Sequence, residues 1–177
     1  MLLNKIKFTS RRVAGLLVLF LAISCFYSSV QAASYTVETV PNAHLSDRSN
    51  RVSNPDGIIL PEDVATINQM LQLVVDSLSI EVAVVAIESI GDNDARMFAT
   101  DLFKHWGIGK KGEDNGLLIL LVTDPAQRAV VFETGYGIEG ILPDAICYRL
   151  QQNYMIPDLK AGNFSQGMAK GVAAVGE

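Results

Sequence analysis

The sequence predicts an α/β fold, a three-layer α/β/α sandwich around a small mixed β-sheet. Residues 80–87 and Gly116–Val122 are two nearly continuous apolar runs, which is typical of strands covered on both faces. A helical pattern separates them, and the right-handed crossover of such a unit requires the two strands to run parallel. Residues 129–133 follow after a short turn, so a third strand is predicted to run antiparallel to the second.

Four helices are predicted around this sheet. In Pro61–Leu78 the apolar residues recur at three-four spacing, with Pro61 at the first helical position and two acids in the first turn. Ala95–Trp106 is the crossover helix. Residues 144–154 form a third helix, which Pro157 is expected to stop, and residues 163–175 form a fourth.

The N-terminal part of the chain divides into a leader and a lead-in. Residues 1–32 combine basic residues, a short apolar stretch and a Val30-Gln31-Ala32 cleavage pattern, which predicts a signal peptide. A lipoprotein signal ending at Cys25 and an uncleaved N-terminal anchor are the alternatives, and all three place the domain outside the cytoplasm. Residues 33–57 are rich in turn formers and predict an extended lead-in, with a possible strand at 35–40. The domain proper is assigned to residues 58–177.

Charge narrows the class of ligand. The formal net charge is −5, and it becomes −9 once the leader is removed, because the leader holds four basic and no acidic residues. Such an acidic domain is unsuited to nucleic acid, whose phosphates are neutralised by lysine and arginine. It is suited to cations. Without the leader Cys147 is the only cysteine, which excludes an internal disulfide and predicts a small buried side chain.

The functional signals concentrate between residues 107 and 144. Gly135, Gly137 and Gly140 spell G-x-G-x-x-G, but no further parallel strand follows the next helix, so we do not predict nucleotide binding. These glycines are instead interpreted as a device that lets the backbone turn. Lys110 and Lys111 are candidates for holding a phosphate or another anion, the alternative being two solvated lysines.

Acidic and amide side chains flank the strands at one expected edge of the sheet. Carboxylates, an amide oxygen and main-chain carbonyls are the ligands that Ca²⁺ and Mg²⁺ prefer. The candidate metal ligands are Asp114, Asn115, Glu133, Glu139 and Asp144. Each also has a purely structural explanation, such as a helix N-terminus for Asp144 or a turn for Asp114 and Asn115. No nucleophile–base pair is evident, so hydrolysis would require a metal-activated water or an acid such as Asp144.

The combined motif resembles the TPM domain family over about residues 45–175. The matching segments are Phe103-x-x-Trp106-Gly107-Ile108-Gly109-Lys110-Lys111, Asp114-Asn115-Gly116-Leu117-Leu118, Glu133-Thr134-Gly135-Tyr136-Gly137-Ile138-Glu139-Gly140, Leu142-Pro143-Asp144-Ala145, Val52-Ser53-Asn54-Pro55-Asp56-Gly57 and Phe164-x-x-Gly167.

The resemblance implies a three-layer α/β fold in an exported or membrane-tethered protein. Family members carry divalent cations, often calcium, near these loops. One branch is described as an acid phosphatase, and another serves as an auxiliary receptor subunit. This chain departs from the family where many members have Thr-Asp or Ser-Asp in place of Pro143-Asp144. It also has Ser53 and Asn54 where an aspartate is common, which removes one possible carboxylate.

Two functions follow as expectations. The first is an exported module, periplasmic or membrane-tethered, that binds Ca²⁺ or Mg²⁺ and associates with a membrane or envelope protein complex. The alternative is a weak metal-dependent acid phosphatase acting on phosphomonoesters, with Lys110 and Lys111 holding the phosphate. The sequence leaves open whether the chain is an enzyme.

Overall fold

A computed structural model describes residues 34–177, and the predicted signal peptide lies outside these residues. The described part forms a four-stranded sheet in the order β1-β2-β3-β4. The strands are β1 Val52–Ser53, β2 Glu81–Ile87, β3 Gly116–Val122 and β4 Ala129–Thr134. β1, β2 and β3 are parallel, and β4 is antiparallel to β3, which confirms the predicted mixed sheet.

Helices lie on both faces of the sheet, so the predicted α/β class is confirmed. They are α1 Ala43–Ser46, α2 Pro61–Leu78, α3 Ala95–Trp106, α4 Asp144–Leu150, α5 Ile156–Lys160 and α6 Phe164–Val175. One apolar cluster joins α2 and α6 to the face that carries Val84 and Ile119. The other joins α3 to the face that carries Val85 and Leu120. Successive side chains of a strand point to opposite faces of the sheet. An apolar strand therefore contributes side chains to both clusters.

The lead-in is more ordered than the sequence predicts. The prediction of a strand at residues 35–40 is wrong. The amides of Thr39 and Val40 both donate to the Thr36 carbonyl, so this segment forms a turn. The turn places Val40 in the core at 4% exposure. The lead-in also contains β1, which is an edge strand of the sheet. With only two residues, Val52–Ser53, it is too short to be predicted from the sequence.

Pro157 does not stop the helical segment that begins at Asp144. A π-helical turn, Gln151–Met155, follows α4, and the amide of Ile156 bonds to the Gln151 carbonyl five residues earlier. Pro157 then lies in the first turn of α5, where its missing amide hydrogen costs least. The prediction is therefore wrong in its end point, because the hydrogen-bond register changes just before the proline. Among residues 34–177 no helix has the length and hydropathy needed to span a membrane.

Candidate functional site

Two loops meet at the edge where β2 and β3 begin and β4 ends. The first loop, residues 107–115, leads from α3 to β3, and the second loop, residues 135–142, leads from β4 to α4. The Gly135 amide donates to the Gly116 carbonyl at 2.9 Å, and the Gly137 amide donates to the Asp114 carbonyl at 3.0 Å. The loops are thus joined by their main chains.

Glycine is required at this junction because the two backbones touch. A Cβ atom at Gly135 would overlap the Asp114 carbonyl, and one at Gly137 would overlap the Glu113 carbonyl. Neither glycine has a positive φ. The G-x-G-x-x-G therefore serves close approach of two chains rather than a sharp turn. Gly140 has open space around it and takes no part in the junction.

Asn115 holds the first loop in place from inside. Its side chain is 6% exposed, and its amide nitrogen donates to the Ser79 carbonyl at 2.6 Å and to Glu113 Oε2 at 2.9 Å. Its Oδ1 accepts from the Lys110 amide at 2.8 Å. The predicted metal ligand is thus engaged with the protein at both ends of its side chain.

Glu81 is a site residue that the sequence reasoning missed. Its Oε2 accepts a hydrogen bond from the Gly109 amide at 3.0 Å, which fixes the first loop to the start of β2. Gly109 has φ +105 and sits against the Gly116 main chain. The available signal was a lone carboxylate at the head of an otherwise apolar strand, a position that needs a partner.

The remaining acids do not converge on one point. Asp114, Glu139 and Asp144 are exposed, and Asp144 begins α4 as predicted. Glu133 pairs with Leu118, so it lies on the α3 face of the sheet. α4 packs on the opposite face, with Cys147 in the other cluster. The two loops meet, but Glu133 and α4, which begins at Asp144, lie on opposite faces of the sheet.

The side chains as arranged do not fit a complete cation site. Within residues 34–177 no group of three or more His, Cys, Asp or Glu side chains is placed to hold a metal ion. Asn115 Oδ1 already accepts from Lys110. Ca²⁺ requires six to eight oxygen ligands, so most would have to be main-chain carbonyls or water.

The two candidate lysines are solvent-exposed. Lys110 Nζ lies 3.6 Å from Glu113 Oε2, and both side chains are more than half exposed, so this pair contributes little to stability. Lys111 is exposed beside it and forms no ion pair among the described residues. Lys111 is therefore available to bind an anion.

Large apolar side chains also project from the second loop and α4. Tyr136 is 83% exposed, Ile141 53% and Tyr148 61%. Glu139 and Asp144 lie among them in sequence and are exposed as well. We call these five residues the tyrosine–acid surface.

Cys147 is buried, as the sequence predicts. Burial, with a smaller effect of Asp144, raises the pKa of its thiol to about 11. The Sγ atom faces the Leu142 carbonyl at 3.6 Å. A thiol with a raised pKa is a poor nucleophile, so this residue has a structural role.

A carboxylate also forms hydrogen bonds at the opposite end of the strands, where β2 ends. Asp56 accepts from the Tyr35 hydroxyl at 2.8 Å and from the Glu88 amide at 2.7 Å. Burial, followed by the bond to Asp56, raises the pKa of the Tyr35 hydroxyl. Both Asp56 oxygens thus serve to fasten the lead-in to the end of β2.

The fold and the loops define a small α/β domain in which two glycine-packed loops are joined by their main chains at one edge of the sheet. The chain belongs to the TPM domain family, whose family model matches residues 52–177. No curated protein matches the chain.

Solved structures of similar chains exist. The N-terminal domain of a Porphyromonas gingivalis protein is 39% identical with a TM-score of 0.74, over 81% of this chain and 90% of that one. The N-terminal domain of a Corynebacterium glutamicum protein is 17% identical, with a TM-score of 0.58 over 81% and 86%. A protein of the psychrophilic bacterium Bizionia argentinensis is 20% identical, with a TM-score of 0.56 over 69% and 81%. The last two share the fold.

Proposed function

We propose that this protein is an exported binding module that associates with a membrane or envelope protein complex through the tyrosine–acid surface. The observation that carries this proposal is Tyr136, which is 83% exposed on a loop whose backbone is fixed at both neighbouring glycines. A tyrosine on a fixed backbone loses little main-chain entropy on binding, and tyrosine is enriched among residues that dominate interface energies.

The charge of the surface specifies the chemistry of the partner. Glu139 and Asp144 alternate with the apolar residues along the sequence and have no ion-pair partner among the described residues. A partner that offers lysine or arginine around an apolar patch would complement it, and such charges mainly raise the rate and specificity of association. We therefore expect a basic segment of an envelope protein at this surface.

Export is part of the proposal and rests on the sequence. The basic and apolar segments of residues 1–32 have the order of a signal peptide, whether cleaved, lipidated or retained as an anchor. Each form places the domain on the outer side of the inner membrane, free or tethered.

Binding of Ca²⁺ or Mg²⁺ is the second part of the proposal. Asp114, with its exposed side chain, lies at the loop junction, because its carbonyl accepts the Gly137 amide. A site that combines one or two exposed carboxylates with carbonyls and water is expected to bind calcium with a dissociation constant on the order of a millimolar. NMR titration tests it: saturable shifts of the Asp114 and Glu139 amides are expected, and their persistence in Asp114→Asn would exclude this site.

The alternative function is a weak metal-dependent acid phosphatase. Lys111, exposed three residues before Asp114 on the same loop, is the observation in its favour. Hydrolysis of a chromogenic phosphomonoester at acid pH distinguishes the two functions. Turnover that requires a divalent cation and is lost in Lys111→Ala and Asp114→Asn would support the enzyme and count against a module that acts only by association.

In-cell photo-cross-linking tests the association. A photoreactive phenylalanine analogue replaces Tyr136 in the full-length chain, and as a control replaces Met97, which is 67% exposed near the start of α3. A discrete adduct with a membrane-fraction protein is expected at position 136 and not at position 97. Addition of Glu139→Lys and Asp144→Lys should abolish it. Equal adducts at both positions, or none, would contradict the proposal.

A further inference from the structure

A cavity of about 190 Å³ opens beside the first half of β2, on the side away from β3. Two arginines, Arg48 and Arg51, line it together with His44, Glu81 and Trp106. The cavity is smaller than a drug-sized pocket, so it suits a ligand of a few heavy atoms or the end of a longer chain. It lies outside the tyrosine–acid surface.

The cavity exists because β1 is shorter than β2. β1 pairs only with Val84 and Val85 of β2. The Arg51 amide, which would extend the ladder to Val82, donates instead to Asn68 Oδ1 at 2.8 Å. Alternate residues of a parallel strand bond to alternate neighbours, and Val84 bonds toward β1. The N–H and C=O of Val82 therefore face the cavity with no strand beside them.

The two arginines carry uncompensated charge. Neither forms an ion pair with a carboxylate in the part of the chain that the structure describes. His44 Nδ1 is buried without a hydrogen-bond partner. Burial, then Arg51 and Arg48, lowers the pKa of this imidazole, and the Asn50 main chain and Glu81 partly oppose them. The cavity wall is thus a concentration of positive charge with unsatisfied polar groups, in a domain that is acidic as a whole.

These features specify the ligand. Guanidinium groups bind carboxylates and phosphates with paired hydrogen bonds. Glu81 and the unpaired Val82 carbonyl disfavour a dianion such as phosphate, and the carbonyl requires a donor on the ligand. A carboxylate next to an amide N–H meets all of these conditions, and that combination is the end of a peptide chain.

We propose that this cavity binds the carboxy-terminal residue of an extended peptide. The peptide carboxylate lies against Arg48 and Arg51, and the peptide main chain pairs with Val82 as a short continuation of the sheet. Addition of a strand to an open sheet edge is a common mode of peptide recognition.

Trp106 makes the proposal directly measurable. It is the only tryptophan of the sequence and it lines the cavity, so its fluorescence reports occupancy. The folded chain is titrated with N-acetyl-alanyl-alanine, with the same dipeptide as its C-terminal amide, and with inorganic phosphate at constant ionic strength. Saturable binding of the free acid alone is expected. Equal binding of the amide would overturn the carboxylate assignment, equal binding of phosphate would overturn the peptide assignment, and no binding would overturn both.

Matched variants locate the site. Arg51→Gln should weaken binding of the free acid at least about tenfold, because a charged, bidentate contact is lost. Arg96→Gln is the control, since Arg96 is an exposed arginine near the other end of α3 from Trp106. It should change affinity by less than about twofold. Equal effects of the two variants would show a nonspecific charge effect. A shift of the Val82 amide resonance on binding is a second, independent readout.

The pH dependence is a further test. Burial lowers the pKa of the His44 imidazole in the free domain, and a bound carboxylate would favour its protonated form, so affinity should rise as pH falls through and below the ordinary range of histidine. Arg48, Arg51 and Glu81 also face this imidazole. His44→Gln should remove the slope, and a slope that survives would contradict the assignment.

Discussion

The side-chain amide of Asn115 donates a 2.6 Å hydrogen bond to the carbonyl of Ser79, the residue that ends α2 in the left-handed conformation. Through this bond and the Lys110 amide, one buried side chain connects the end of a helix to the first loop. The bond explains why an amide is suited to this position: a carboxylate could accept from Lys110 but could not donate to a carbonyl.

Asn115→Ala is therefore expected to destabilise the fold. It leaves the Ser79 carbonyl and the Lys110 amide without their partner in a part-buried site, which should lower the free energy of unfolding by about 2–3 kcal/mol. Urea denaturation followed by circular dichroism measures the loss. Asn153→Ala, at an exposed position, should cost less than about 0.5 kcal/mol and serves as the control. Equal costs would mean that the Asn115 bonds contribute nothing net.

Two of the three glycines of the G-x-G-x-x-G, Gly137 and Gly140, should respond differently to alanine. Gly137→Ala forces a methyl group into the Glu113 carbonyl and must separate the loops, at a cost of at least about 2 kcal/mol. Gly140→Ala meets open space and has no positive φ, so it should be neutral or stabilise the fold by up to about 1 kcal/mol. Thermal unfolding of both variants decides the matter. A reversed order would show that the glycines do not act through close approach.

The packing of the π-helical turn against α6 predicts a coupled pair. A Cβ at Gly171 would lie 2.5 Å from Met155 Sδ, and Met155 is fully buried. Gly171→Ala should destabilise by about 1–3 kcal/mol, and Met155→Ala by about 2–5 kcal/mol.

The double variant tests whether these two residues share one space. Because the alanine methyl partly fills the cavity left by Met155, the double variant should cost less than the sum, by at least about 0.5 kcal/mol. Urea denaturation of the three variants completes the cycle. Additive costs would show that the two substitutions act independently.

Stability should fall at alkaline pH through Cys147. Its folded-state pKa is raised to about 11, so the unfolded thiol loses its proton first as pH rises. The unfolded state then binds fewer protons, and the contribution of the thiol to stability is present below about pH 8.5 and is lost as pH rises toward 11. Urea midpoints at pH 7.5, 9 and 10.5 should fall more steeply in the wild type than in Cys147→Ala. Parallel slopes would contradict the assignment.

Local pattern determines the regular elements of this chain. The bounds of α2, α3 and β3 agree with the sequence predictions, because each has a periodicity or an apolar run bounded by a proline, an aspartate cap or a glycine. The parallel and antiparallel pairings also follow, since a helical crossover and a short hairpin each allow one direction. The family motif follows from the same residues.

Long-range contact decides what the motif residues do. The Gly109 amide donates to the Glu81 carboxylate, and the Arg51 amide donates to Asn68 rather than to Val82. Both hydrogen bonds depend on distances between segments far apart in sequence. Pairing with β2 likewise makes β1 a strand. Predicted ligands separate for this reason: alternation sends Glu133 to the α3 face of the sheet, and Asn115 turns inward.

The sequence by itself determined the α/β class, the mixed sheet and the family, because those depend on periodicity and on local motifs. Tertiary structure alone decided that the glycines join two main chains, that Glu133 and α4 lie on opposite faces of the sheet, and that two arginines line a cavity beside β2. These are properties of distance between residues that the chain brings together only on folding, and no spacing along the sequence encodes them.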